Sequence, residues 1–291
     1  TGDAGYIGSK IAYDLLDKGY GVIIIDNLST GNKKLISKSA IFYNNDIGNK
    51  KKLNLILKKH NIKLIIHLAA SSSVVESTKK PKKYYTNNVL KTKILLEACS
   101  KNKIEKIIFS SSCAIYGSKN KNKVKETDSP NPKNNYGKTK LICEKLIKKY
   151  AFNNKFSYII LRYFNVVGAD YKLRTGPIKN KDQLFKNLSQ NIINKKYIAD
   201  IYGNNYKTKD GTCIRDYIDI NDLSLIHLKI LKNLKKNKSY IFNCGYGKGY
   251  SVLSIIKAFE KVSKKKMMIN FRPKRKGDIV KMISNTNKIK K

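Results

Sequence analysis

The 291-residue sequence has no tryptophan, three histidines and only 20 acids against 61 bases. It has no run of about 18 apolar residues, so no membrane-spanning helix is expected; its residues hold no signal-peptide pattern, although they begin inside a motif rather than at Met. The five cysteines, Cys99, Cys113, Cys143, Cys213 and Cys244, are odd in number and make no Cys-x-x-Cys pair. That argues against a disulfide framework and fits isolated, buried thiols of a reducing cytoplasm. No His or Cys cluster has ligand spacing, so no metal site is expected.

The shortage of acids leaves a formal net charge of +41, which taken alone points to a polyanion partner. The bases are nearly all lysine, spread along the whole chain among abundant Asn and Ile; the arginines are Arg162, Arg174, Arg215, Arg272 and Arg275. Nucleic-acid modules concentrate Arg and aromatic residues on one element. The pattern therefore reads as compositional bias, with no specific nucleic-acid partner and only loose, salt-sensitive adhesion to RNA. No internal repeat occurs, and the Lys/Asn stretch 118–125 reads as a flexible loop.

Glycine is concentrated at the start, where Gly2, Gly5 and Gly8 form Gly-x-x-Gly-x-x-Gly. An amphipathic stretch with Ile11, Leu15 and Leu16 follows, Gly19 stops it, and residues 21–26 read as a buried parallel strand. The glycines permit a tight turn, and the helix N-terminus offers N–H groups to a pyrophosphate. Asp26 ends the second strand, where a carboxylate suits an adenosine ribose and favours NAD over NADP. An ordinary Gly-rich turn is the plain alternative. The strand that should precede Gly2 is absent, and the chain ends in lysine-rich residues without a terminator, so truncation at both ends is expected.

Further along, Ser110-Ser111-Ser112 ends a strand, and Tyr136-Gly137-Lys138-Thr139-Lys140 heads a helical pattern. Residues four apart share a helix face, so Lys140 lies one turn beyond Tyr136. A nearby ammonium lowers a phenol pKa, which makes Tyr136 a candidate general base with an upstream serine as partner. The plain alternative is a surface tyrosine beside one of many lysines.

Strands and helices alternate from 21 to 162, with a long helix after Pro81, a strand 104–112 and a helix 136–151. This predicts an α/β fold with a doubly wound parallel sheet of Rossmann type. Ligands of such sheets bind beyond the carboxyl ends of the strands. Gly2–Gly8, Asp26, Asp46, Ala69–Ala70, Ser111–Ser112 and Phe164–Asn165 all fall at such ends. His67, in an apolar strand, and His227, in a helix, read as packing residues. Residues 167–291 read as a smaller, mixed α/β substrate lobe, with helices at 183–195, 222–234 and 252–262.

Several motifs together carry a resemblance across almost all of the chain: Gly5-Tyr6-Ile7-Gly8-Ser9, Asp26-Asn27-Leu28, Tyr84-Tyr85-Thr86-Asn87-Asn88, Arg162-Tyr163-Phe164-Asn165, Gly211-Thr212-Cys213-Ile214-Arg215-Asp216-Tyr217 and Arg275-Lys276-Gly277-Asp278. The chain resembles the UDP-galactose 4-epimerases of the extended short-chain dehydrogenase/reductase family. It departs from them at Asp3, where Gly is common, at Ser72, where some members have Lys, and at Asp219, where His is common. Asp3 is expected to strain the phosphate loop or repel a pyrophosphate.

The resemblance implies NAD-dependent interconversion of UDP-glucose and UDP-galactose through a transient 4-keto sugar, in a cytoplasmic homodimer. It implies that Tyr136, Lys140 and Ser112 are catalytic. In residues 1–166 it implies that NAD is held by Gly2, Gly5, Tyr6, Ile7, Gly8, Asp26 and Asn27. Asp46, Ile47, Leu68, Ala69, Ala70, Asn87, Ser110, Tyr136, Lys140 and Phe164 complete that set. The substrate falls to Ser112, Tyr136, Asn165, Leu184, Arg215, Arg275, Asp278 and Met282, the last beside the sugar 2-substituent. Cys113 and Ala114 stand where related dehydratases carry acids, which argues against water elimination. A UDP-glucuronate 4-epimerase or decarboxylase, and a non-catalytic polyanion-binding Rossmann protein, remain the alternatives.

Overall fold

Short β-branched runs separated by amphipathic stretches fold as alternating strands and helices. The computed structural model describes residues 1–119, 121–154, 156–178, 183–233, 238–275 and 277–290. Asn120, Leu234 and Lys276, which the sequence reading uses, lie outside them. Helix α1 (Tyr6–Asp17) follows the glycine loop at once, and β1 (Ile23–Asp26) and β2 (Ile41–Asn44) follow it. Asn49 caps α2 (Lys50–Lys59) by accepting from Lys52 N at 3.1 Å. Strand β3 (Leu64–His67) leads to α3 (Val74–Lys79), which Ser73 caps, and to α4 (Pro81–Tyr84) with proline in its first turn.

The long helix expected after Pro81 is interrupted. Residues Tyr85–Leu90 form a π-helical turn between α4 and α5 (Lys91–Lys101). Asn88 sits in this turn, and its buried amide bonds Ser71 N at 2.8 Å, Ser71 O at 3.0 Å and Thr139 Oγ1 at 3.1 Å. Such bulges concentrate at functional sites.

Strand β4 (Lys106–Ser112), helix α6 (Asn135–Asn154), β5 (Ser157–Tyr163) and β6 (Asn165–Val167) complete the first half. Then come α7 (Leu184–Ile193), β7 (Ile198–Tyr202), β8 (Ile214–Asp219), α8 (Ile220–Asn233) and β9 (Tyr240–Cys244). The described chain closes with β10 (Gly249–Ser251), α9 (Val252–Ser263), β11 (Met268–Arg272), β12 (Lys281–Met282) and α10 (Asn287–Lys290).

Strands β3, β4, β5 and β9 form a parallel sheet in that order, and β1 pairs β2 in parallel beside it. Thr1 and Gly2 join the two sets. Thr1 N donates to Ile66 O at 2.8 Å, Leu68 N to Thr1 O at 3.0 Å, and Gly2 N to Ile25 O at 3.1 Å. One face packs on α2, α5 and α6 through a core that includes Leu53, Leu96, Ile107 and Ile147. The other packs on α8 and α1 through Ile108, Leu161, Leu223, Ile11 and Leu228. Helices thus cover both faces, as a doubly wound sheet requires.

In the second lobe β8 pairs β10 antiparallel, β6 and β12 in parallel, and β7 pairs β11. The lobes do not separate at 166/167 as the sequence reading places the cut. Strand β9 extends the first sheet along β5, and α8 packs on α1. A linear boundary misses a chain that crosses to the second lobe and returns.

Candidate functional site

Two adjoining cavities of about 780 and 650 Å³ open at the carboxyl ends of the parallel strands, within the size range of ligand sites. Gly2, Gly5, Tyr6, Ile7 and Gly8 line the smaller one, with Asp26, Asn27, Asp46, Ile47, Leu68, Ala69, Ala70, Asn87, Ser110, Tyr136 and Lys140. Ser112, Tyr136, Asn165, Leu184, Arg215, Arg275, Asp278 and Met282 line the larger one. Phe164, expected beside the cofactor, lines the larger cavity, where it packs with Ile115, Tyr116 and Met282.

The smaller cavity is shaped by the glycine loop. Gly2 has φ +81°, and a Cβ there would lie 2.5 Å from Ala69 N, so only glycine lets the loop lie against the end of β3. Gly5 caps α1 without a side-chain bond, which leaves the first-turn N–H groups for an anion. Asp3 does not strain the loop as expected: it is not among the residues of positive φ. Its side chain is buried, and Asp3 does not line the cavity.

Asp26 accepts from Ala4 N at 3.0 Å and Leu28 N at 2.8 Å, so it braces the loop while facing the cavity. Burial would raise the Asp46 carboxyl, but bonds from Lys91 at 2.6 Å, Gly48 N at 2.7 Å and Asn27 at 2.7 Å hold it below its usual value. Asn87 bonds Ser71 Oγ at 3.2 Å from the π-helical turn. This donor set and glycine cradle fit a dinucleotide. Among the described residues no group of three or more His, Cys, Asp or Glu is placed to hold a metal ion.

The two cavities meet at Tyr136. It lines both, whereas Ser112 lines the larger alone and Lys140 the smaller alone. Gly137 makes this seam possible, because a Cβ there would lie 2.5 Å from Ala114 O and push α6 off the loop after β4. Lys140 Nζ donates to Ser110 O at 2.6 Å and stands 5.9 Å from the Tyr136 ring centroid.

The expected lowering of the Tyr136 pKa is not found. Burial pushes the phenol up to about 12, and a hydrogen bond from Ser112 offsets only part of this. Burial also pulls Lys140 down to about 8. Burial penalises both groups for charge, and one of the lysine's three N–H donors is taken by Ser110 O.

Arg215 and Asp278, both lining the larger cavity, form an ion pair with each other. Arg275 stacks its guanidinium 3.8 Å over the Tyr202 ring. Met282 is buried and pairs with Arg215 across β12 and β8. His67 bonds Thr1 Oγ1 and Thr92 Oγ1, both at 2.8 Å, and His227 bonds Tyr163 OH at 2.8 Å. Burial holds His67 well below its usual value and His227 at about 4, so both are neutral packing residues.

The sequence reading missed one buried support. Arg162 grips Glu144 through Nε at 3.0 Å and NH2 at 2.8 Å, and Glu144 also accepts from Ser111 Oγ at 2.5 Å. The signal was present, because Glu144 lies four residues beyond Lys140 and eight beyond Tyr136 on one helix face.

A glycine-loop α/β sheet with a Ser/Tyr/Lys seam between two cavities defines a nucleotide-dependent oxidoreductase-type site. The profile of the NAD dependent epimerase/dehydratase family matches residues 1–245. UDP-glucose 4-epimerase of Azospirillum brasilense is 36% identical over 294 residues, covering all of this chain and 84% of that protein. The Bacillus subtilis UDP-glucose 4-epimerase is 37% identical over 302 residues, covering all of this chain and 89% of that protein. The crystal structure of the Bifidobacterium longum UDP-glucose 4-epimerase, in complex with NAD+ and UDP, superposes with a TM-score of 0.94 at 31% identity, covering 99% of this chain and 90% of that one. The chain belongs to the NAD-dependent epimerase/dehydratase family.

Proposed function

We propose that this protein interconverts UDP-glucose and UDP-galactose with a retained NAD. The observation that carries the reading is the seam: Tyr136 faces both cavities, between Ser112 in one and Lys140 in the other. NAD, when bound, supplies a hydride acceptor for C4 of the sugar and returns the hydride to it. Gly2, Gly5 and the α1 N-terminus would hold its pyrophosphate, Asp26 its adenosine ribose and Lys140 its nicotinamide ribose.

Tyr136 removes the proton from the sugar 4-hydroxyl, and Ser112 donates a hydrogen bond to the 4-oxygen. Because burial disfavours the phenolate, the reaction needs positive charge at the seam, and Lys140, 5.9 Å from the Tyr136 ring, is placed to bring it. Arg215, Arg275 and Asp278 grip the UDP part in the larger cavity, where the forks of two arginines suit a diphosphate. A firmly held nucleotide leaves the keto sugar free to turn and receive hydride on its other face.

The relatives that act on UDP-glucose support the reading. It also includes a homodimer built on α5 and α6, beside which Tyr85 and Leu90 leave 47% and 42% of their surface exposed. Five unpaired cysteines, four of them buried, support a reducing cytoplasm. No helix among the described residues is long and apolar enough to cross a membrane. The test is turnover of UDP-galactose by the purified protein. UDP-glucose is expected to form and to be converted back, and no conversion with NAD in excess would remove the reading.

A further inference from the structure

Segment 168–178 leaves β6, runs along α1 and ends at the smaller cavity, which Pro177 and Ile178 help line. It touches one stripe of α1. Tyr6 OH donates to Gly168 O at 2.6 Å, and the hydroxyls of Ser9 and Thr175 share a buried hydrogen bond. Between them sits Asp170, 1% exposed. Its Oδ1 accepts from Lys10 Nζ at 2.7 Å and its Oδ2 from Arg174 Nε at 2.6 Å. Lys10 also reaches Asp14 at 2.8 Å, and Arg174 NH1 spans both oxygens of Asp17 at 3.0 and 2.9 Å. Arg174 lies 4.6 Å over the Tyr13 ring.

The charges balance, with Lys10, Lys172 and Arg174 against Asp14, Asp17 and Asp170. In a chain with 20 acids against 61 bases, such a concentration of acids is not what an even spread gives. The backbone is closed too. Asp170 N donates to Thr175 O at 3.0 Å and Leu173 N to Asp170 O at 2.8 Å, with Leu173 held at φ +57°. A non-glycine residue in that region costs free energy and persists only where its surroundings fix it.

We propose that residues 168–178 are a strap that retains the cofactor, with Lys10, Asp170 and Arg174 as its positioning residues. None of the three lines either cavity. They act through the strap: the buried Asp170 pins it to the helix whose N-terminus lines the smaller cavity and would face a pyrophosphate, and the pin sets where Pro177 and Ile178 lie at the cavity. The inference rests on the NAD reading above. It adds that retention is set largely outside the cavity, by a junction between the segment after β6 and α1.

The test is the rate at which NAD leaves the purified, loaded protein, followed by trapping released NAD with an excess of a second dehydrogenase. Asp170→Asn keeps the side-chain shape and removes the charge. Arg174→Gln acts at a partly exposed position, so it remains informative if a buried change prevents folding. Both are expected to release NAD about tenfold faster or more, since changes within one interface fall mainly in the off-rate. UDP affinity of the folded variants is expected to stay near the parent's, as is the melting temperature of NAD-free Arg174→Gln, which separates a strap from general loosening. Unchanged release from the folded variants would overturn the strap and leave the NAD reading standing. A parent protein that binds no NAD would overturn both.

Discussion

Lys140→Met isolates what burial does to the charge at the seam. The usual lysine value is 10.5, and burial pulls Lys140 down to about 8. At about 1.4 kcal/mol per pH unit, that gap amounts to a penalty of about 3 kcal/mol for keeping the charged lysine in the NAD-free fold. The sign follows from proton counts. Between the two values the unfolded chain still holds the proton and the folded chain has lost it, so stability rises with pH there. The penalty is full below about 8 and vanishes above 10.5.

Methionine carries no charge at any pH, so the variant lacks this rise. Groups uncoupled from Lys140 cancel in the difference between the two proteins, and Cys143, which Lys140 does act on, sits at about 11 and stays mostly protonated in the fold up to pH 10.5. At neutral pH the variant also forfeits the bond to Ser110 O, worth about 1–3 kcal/mol when the acceptor is left buried. The absolute difference at one pH is therefore ambiguous and the slope is not. Urea unfolding of both NAD-free proteins, followed by circular dichroism from about pH 8 to 10.5, should show the parent gaining about 3 kcal/mol on the variant. Parallel curves would mean that Lys140 titrates normally and that the seam is wetter than its burial implies.

Tyr136→Phe should leave NAD bound and lower kcat by at least about a hundredfold, the scale of a lost acid–base group; near-parent turnover would refute its role. Asp26→Ala should weaken NAD and relax discrimination against NADP, because a carboxylate no longer meets a 2′-phosphate, and because Ala4 N and Leu28 N lose their acceptor; titration with both cofactors decides it. Buried Met282 should favour plain hexoses over N-acetylated ones by roughly 10–200-fold, the range that packing alone gives. Met282→Ser should narrow that ratio and Met282→Tyr widen it, read as kcat/KM for each sugar. Sedimentation should give a homodimer, weakened at low salt where repulsion among lysines is unscreened, and a monomer at all salt concentrations would refute it.

Local signals carried much of the architecture. Periodic apolar runs marked strands β1 to β5 and helices α1, α2, α5 and α6, because each buries one stripe or face that its own sequence must supply. The strand-end residues Asp26, Ala69 and Ser112 pointed to one edge of the sheet, since in a parallel sheet all carboxyl ends share an edge. Those signals, with the motif resemblance, put nearly every named residue at the two cavities.

Tertiary structure decided what depends on contacts across the chain. The π-helical turn carries Asn88, which bonds Ser71 and Thr139, contacts that no run of neighbouring residues encodes. Strand β9 joins the first sheet because its partner β5 lies some 80 residues earlier. Spacing placed Lys140 beside Tyr136, but desolvation raised the phenol and lowered the ammonium, and burial belongs to the assembled seam. The junction of Lys10, Asp170 and Arg174 joins residues 160 positions apart, so its parts read singly as solvated charges and become a buried lock only when the second lobe folds back on α1.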